Sequence, residues 1–120
     1  MEVNQAIEAL AALAQESRLK VFRLLVHQGP LGMAAGDIAR ALNVPANTLS
    51  SHLAVLSRAG LIASRKEGRS VIYAMDVAGT RALLSFLVED CCRAERDVCD
   101  RLINSALAGC CPEGAGECCS

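Results

Sequence analysis

The stretch from Met33 to Met75 constrains the fold more than any other part of the chain. Ile38 and Leu42 mark the buried side of a short helix, about Met33 to Leu42, and Asn43-Val44-Pro45 interrupts it as a turn. Pro45 opens a second helix, about Ala46 to Arg58, near the position where a proline is tolerated. Leu49, Leu53 and Leu56 recur at helical spacing and turn one face of that helix inward. Gly60 suits the residue just past the helix end, with Leu61 as the apolar partner of such a cap. Two β-prone runs follow, Leu61 to Lys66 and Arg69 to Met75, around a turn at Glu67-Gly68. Two short helices across a tight turn, then a hairpin, make a helix-turn-helix followed by a wing.

The outer face of the second helix carries Asn47, Thr48, Ser50, Ser51 and His52. These are polar side chains on an N-terminal half, where a recognition helix meets base edges. For His52 the alternative is capping and packing at the helix surface. Arg58 adds a positive charge near the helix end, and Arg65, Lys66 and Arg69 sit at the hairpin tip. Such a tip is either an ordinary solvated turn or a phosphate contact, and its place after a recognition helix favours the contact. The charge distribution agrees. The whole chain has a net charge of −1, but residues 38–75 set Arg40, Arg58, Arg65, Lys66 and Arg69 against Glu67 alone. Positive charge is gathered where a phosphate-contacting surface needs it.

The flanks read as helices. Val3 to Gln15 has Ile7, Leu10 and Leu13 at helical spacing. Ser17 is a candidate N-cap for a helix from Arg18 to His27, with Leu19, Phe22, Leu25 and Val26 as its buried face and Gly29-Pro30 as its end. His27 then lies at a helix C-terminus, where a positive charge is tolerated. After Asp76, a long helix from about Val77 to Leu107 carries Leu83, Leu84, Leu87, Val88, Cys91, Val98, Leu102 and Ile103 as a broad apolar stripe. A chain of 120 residues cannot cover that much apolar surface alone, so a homodimer through the first and last helices is expected. With aromatics at 2%, packed helices are favoured over a sandwich or barrel, giving a mainly α fold with one β-hairpin wing. Residues 1–108 are expected to form a single DNA-binding and dimerisation domain, and residues 109–120 a flexible tail rich in Gly and Cys. No apolar run is long enough for a membrane span, and the N-terminus has no positive leader region, so a cytoplasmic protein is expected.

All seven cysteines follow Val88. A secreted disulfide scaffold scatters its cysteines, and an odd number does not pair completely. A clustered set in a reducing compartment points to soft-ion binding or redox sensing. Cys91, Cys92 and Cys99 lie on the expected last helix, while Cys110, Cys111, Cys118 and Cys119 lie in the tail. Both histidines, His27 and His52, are far along the chain from the thiols, which disfavours a mixed Cys/His zinc site. The bland alternative is that a cysteine packs as a small apolar residue, and Cys99 fits it best because it continues the stripe. No catalytic Ser/His/Asp or Cys/His grouping stands out, so an enzyme is not expected.

The runs Asn47 to Leu56, Ala59-Gly60-Leu61-Ile62, Arg65-Lys66-Glu67-Gly68-Arg69 and Val71-Ile72-Tyr73, with Ser17-Arg18-Leu19 and Leu24-Leu25, resemble the ArsR/SmtB family of bacterial winged-helix repressors. The resemblance covers about residues 5 to 105. It implies a homodimer on a palindromic operator in double-stranded DNA, released when a metal or metalloid binds, with no organic cofactor. The helix before the recognition helix lacks the thiol motif of the founding arsenic repressors, and the last helix has no His of the zinc-sensing kind. Cys91, Cys92 and Cys99 are similar to variant arsenic sensors whose thiols sit near the end of that helix. This implies trivalent arsenic, or antimony, held by three sulfurs in a pyramid.

On a straight helix Cys92 and Cys99 stand ~10 Å apart, too far to share one small ion. The helix could unwind between them, the tail could supply Cys110 or Cys111, or Cys99 could come from the second subunit. Unwinding is favoured, because Arg93 to Asp97 offers little apolar surface to hold it helical. The rival readings are a redox or persulfide sensor and a methylarsenite sensor on the same fold, and an arsenic-carrying metallochaperone, which would have no use for a basic wing.

Overall fold

The computed structural model describes residues 2–94 and Arg101. Five helices and three strands follow one another as α1 (Val3–Leu13), α2 (Glu16–Gln28), β1 (Met33–Ala34), α3 (Ala35–Leu42), α4 (Ala46–Arg58), β2 (Ile62–Glu67), β3 (Ser70–Met75) and α5 (Val77–Ala94). A 3-10 turn, Gly29–Leu31, joins α2 to β1. Residues Met1–Leu83 form one compact unit, and α5 from Leu84 onward belongs to a second. No helix among the described residues is long and apolar enough to cross a membrane.

The core of the first unit is aliphatic. Val21, Leu25, Ile38, Leu49, Leu53, Leu56, Leu61 and Ile62 are buried, and no polar or charged residue joins them. The inward face expected for α4 is the one observed. Leu56 is fully buried, so Leu56→Ala should cost about 3 kcal/mol in urea denaturation, by lost transfer energy and a residual cavity. A midpoint within error of the wild type would show that the site lies outside the core.

Helix α1 packs through its small residues and leaves much of its apolar face uncovered, and α2 starts and packs differently from the expectation. In α1 the buried residues are Ala6, Ala9 and Ala12, while Ile7 is 58% and Leu10 42% exposed. Small side chains let this helix lie close to its neighbours and turn its large residues outward. Helix α2 starts at Glu16, not after Ser17, and the Gln15 side chain accepts from the Arg18 backbone N–H as its cap. Its buried residues are Val21 and Leu25, whereas Leu19 and Val26 are exposed. Arg18 donates to the Ala12 carbonyl at 2.7 Å and so ties α2 back to α1. On the outer side Lys20 pairs with Glu16 and draws that carboxyl below the usual carboxylate range.

The sheet order is β1-β3-β2, all antiparallel. Helix α3 begins at Ala35, because Met33 and Ala34 pair with Tyr73 and Ile72 as a strand. A two-residue strand is too short for a periodic signal. In the hairpin Glu67 faces Ser70, so the turn lies at Gly68-Arg69, one residue later than expected. Helix α5 is continuous from Val77 to Ala94; the expected continuation to Leu107 lies outside the described residues.

Candidate nucleic-acid interface

The turn between α3 and α4 fixes the angle of the reading helix. Asn43 takes a left-handed conformation at φ 55°, ψ 50° and stops α3 there. Pro45 in extended geometry then caps the start of α4. Leu49, Leu53 and Leu56 fasten α4 to the core, which leaves Asn47, Thr48, Ser50 and Ser51 exposed on the other side. Asn47 Oδ1 accepts from the Thr48 backbone N–H, and Ser50 donates back to the Ala46 carbonyl. These are local bonds of short polar groups at the first turn, and all four side chains remain accessible.

His52 departs from this set. It is half-buried, and its Nδ1 is out of reach of solvent with no hydrogen-bond partner among the described residues. One ring nitrogen is therefore turned toward the protein, in keeping with the packing alternative. Arg58, at the far end of α4, borders a cavity of about 460 Å³ with Gln5, Glu8, Gly60 and Gly79. It is thus well removed along α4 from the residues of the first turn.

The end of α4 is locked by backbone bonds. Leu61 N–H donates to the Leu56 carbonyl and Gly60 N–H to the Ser57 carbonyl, with Gly60 at φ +81°. This is the expected glycine cap. Asp76 opens α5, accepting from the Gly79 N–H at 3.0 Å, while its own N–H donates to the Leu61 carbonyl. A Cβ on Gly79 would lie 1.8 Å from the Gly60 carbonyl oxygen, so the two backbones are in direct contact.

The wing separates its three cations. Lys66 and Arg69 are exposed and have no ion-pair partner among the described residues. Arg65 is engaged with Glu67 and with backbone carbonyls of the 3-10 turn. Sequence reasoning missed those contacts because their acceptors are main-chain oxygens more than thirty positions away.

The comparisons with known proteins bear on this geometry. A family model described as a helix-turn-helix domain matches residues 13–65. The transcriptional activator HlyU of Vibrio cholerae is 32% identical over 98 residues, spanning 80% of this chain and 88% of that protein. This chain belongs to the ArsR/SmtB family of winged helix-turn-helix transcriptional regulators. The solved structure of reduced HlyU superposes with a TM-score of 0.58 at 30% identity, covering 72% of this chain and 87% of that one. The homodimeric winged helix-turn-helix DNA-binding domain Mb0332 of Mycobacterium bovis, described as a possible ArsR-family transcriptional regulator, superposes with a TM-score of 0.58 at 30% identity over 78% of this chain and 86% of that one. The cadmium resistance regulatory protein CadC of Listeria innocua is 38% identical over 61 residues, about half of each chain. As an ArsR/SmtB regulator, the chain binds DNA and is not an enzyme. The expected mainly α fold with a hairpin wing is the one observed.

The expected sensor half of this ArsR/SmtB chain is described only in part. The backbone of Cys91 and Cys92 stands in the final helical turns of α5, and the helix continues through Arg93 and Ala94. Cys99, Cys110, Cys111, Cys118 and Cys119 lie outside the described residues. Among the described residues no group of three or more His, Cys, Asp or Glu is placed to hold a metal ion.

Proposed function

We propose that this regulator is a cytoplasmic homodimeric repressor, released from its operator when trivalent arsenic, or antimony, binds thiolates of Cys91, Cys92 and Cys99, with Cys110 and Cys111 as auxiliary donors. The observation that carries this reading is the placement of the thiols: none in the DNA-reading half, and all seven after Val88. A sulfur-only donor set suits soft ions, and because thiolates also bind zinc the test below includes it. CadC, a cadmium resistance regulatory protein, supports a soft-ion inducer for this chain.

The dimer is proposed through α1 and α5. Helix α1 leaves Val3, Ile7 and Leu10 exposed, and α5 leaves Leu84 and Leu87 exposed at 59% and 50%. These are apolar faces of the kind an obligate interface covers. The homodimeric state of Mb0332 supports the assignment. Asn47, Thr48, Ser50 and Ser51 then read bases, and the wing engages phosphates.

One observation favours a second reading. HlyU has been solved in a reduced form, which draws attention to thiol oxidation as the trigger. In that case Cys91 or Cys92 would pair with Cys99 in a reversible disulfide. One experiment separates the two readings. The purified protein selects its operator from a random duplex library and is then titrated with arsenite, antimonite, cadmium, zinc or peroxide. Release by arsenite and antimonite under reducing conditions supports the metalloid reading. Release by peroxide alone, reversed by a dithiol, replaces it with the redox reading.

A further inference from the structure

We infer that Arg65 is a positioning residue for the wing, not a phosphate contact, and that the wing's phosphate contacts fall to Lys66 and Arg69. The guanidinium makes three bonds within the protein. Nη2 donates to the Leu31 carbonyl at 2.8 Å, Nη1 to the Pro30 carbonyl at 3.4 Å, and Nε to Glu67 Oε2 at 2.5 Å. Arg65 stands on β2, and the turn holding Pro30 and Leu31 leads into β1. These strands are the two edges of the sheet, with β3 between them. One side chain therefore ties β2 to the turn that leads into β1, at the base of the hairpin tip.

The pattern of alternation separates the roles. In β2 neighbouring side chains point to opposite faces, so Lys66 faces away from Arg65 and Glu67. Lys66 sits opposite Val71 in the register, and Arg69 occupies the turn itself. All three are exposed, and Arg65 differs from the other two in being paired already. Three of its five N–H donors are engaged within the protein, and they hold the guanidinium beside the Glu67 carboxylate, which would repel a phosphate there. A lysine could not replace it, because a single ammonium lacks the planar fork that reaches a carboxylate and two carbonyls together.

The test is a thermodynamic cycle read by fluorescence anisotropy on a random-sequence DNA duplex. It compares the wild type, R65K, R65Q, K66Q/R69Q, and the last combined with R65K and with R65Q, each checked by circular dichroism and measured below its melting temperature. In the wild-type background R65K and R65Q are expected to weaken binding alike, by about fivefold, because retained charge does not rescue a lost strut. In the K66Q/R69Q background either change should matter less than about twofold, and the slope of log affinity against log salt should not move. A direct phosphate contact gives a different result: R65K binds like the wild type, or R65Q takes ~0.9 from the salt slope in the neutral-tip background. Either outcome overturns the inference, as does unchanged affinity in both single variants.

Discussion

Serine at position 91 or 92 is expected to leave operator affinity within about twofold of the wild type and to abolish release by arsenite. The expectation follows from donor chemistry. Trivalent arsenic is a soft centre, and a serine hydroxyl is a harder, far weaker donor than a thiolate. Loss of one of the two thiols on α5 removes a donor that Cys99 alone cannot supply. The substitution is nearly isosteric, and α4 and the wing are unchanged by it, so the DNA-reading surface should persist. Anisotropy of an operator duplex against arsenite, under reducing conditions, reads the effect directly. Cys118→Ser/Cys119→Ser serves as a control that should respond like the wild type. A full response in either Cys91→Ser or Cys92→Ser sinks the proposed site.

Gly32→Ala is expected to be strongly destabilising, costing about 4 kcal/mol and lowering the melting temperature by roughly 15 °C. Two terms contribute. Gly32 sits at φ 71°, ψ −167°, a region that side chains essentially do not adopt. A Cβ there would also lie 2.3 Å from the Tyr73 carbonyl oxygen, a backbone atom in the middle strand of the sheet. Gly29 separates the terms, since it holds nearly the same conformation, φ 75°, ψ −158°, with nothing within 4 Å of an added Cβ. Gly29→Ala should therefore cost about 2 kcal/mol, the conformational part alone. Equal melting temperatures for the two variants would refute the close approach of Gly32 to β3.

The DNA-reading half was largely legible in the sequence, and the reason is physical. Helix α4 declares itself through Leu49, Leu53 and Leu56, because burial against one core forces a single helical period. The hairpin declares itself through β-prone runs broken by a glycine. What escaped was set by tertiary contacts. Helix α1 leaves Ile7 and Leu10 of its apolar face exposed, and it packs through Ala6, Ala9 and Ala12, which the spacing of large apolar residues does not mark. Strand β1 has no pattern of its own and exists because β3 offers it partners. Arg65 looked like Lys66 and Arg69 because charge type does not reveal which carbonyls lie within reach. His52 belonged by spacing to the polar face, yet one of its nitrogens is turned inward. Of the proposed sensor, the sequence marks a cluster of seven thiols, and the backbone of Cys91 and Cys92 lies on α5.

The contact between Gly60 and Gly79 has a mechanical meaning. Most helix junctions meet through side chains, which can change rotamer and absorb a displacement of one element before its neighbour feels it. Here two main chains touch with nothing between them, and the Gly60 side of the contact is also the cap that ends α4. The joint has no play. A shift in the first turn of α5 toward that cap must either push the end of the reading helix or break the cap's backbone bonds. A direct main-chain path from the first turn of α5 to the end of the DNA-reading helix thus runs through two positions with no side chain at all.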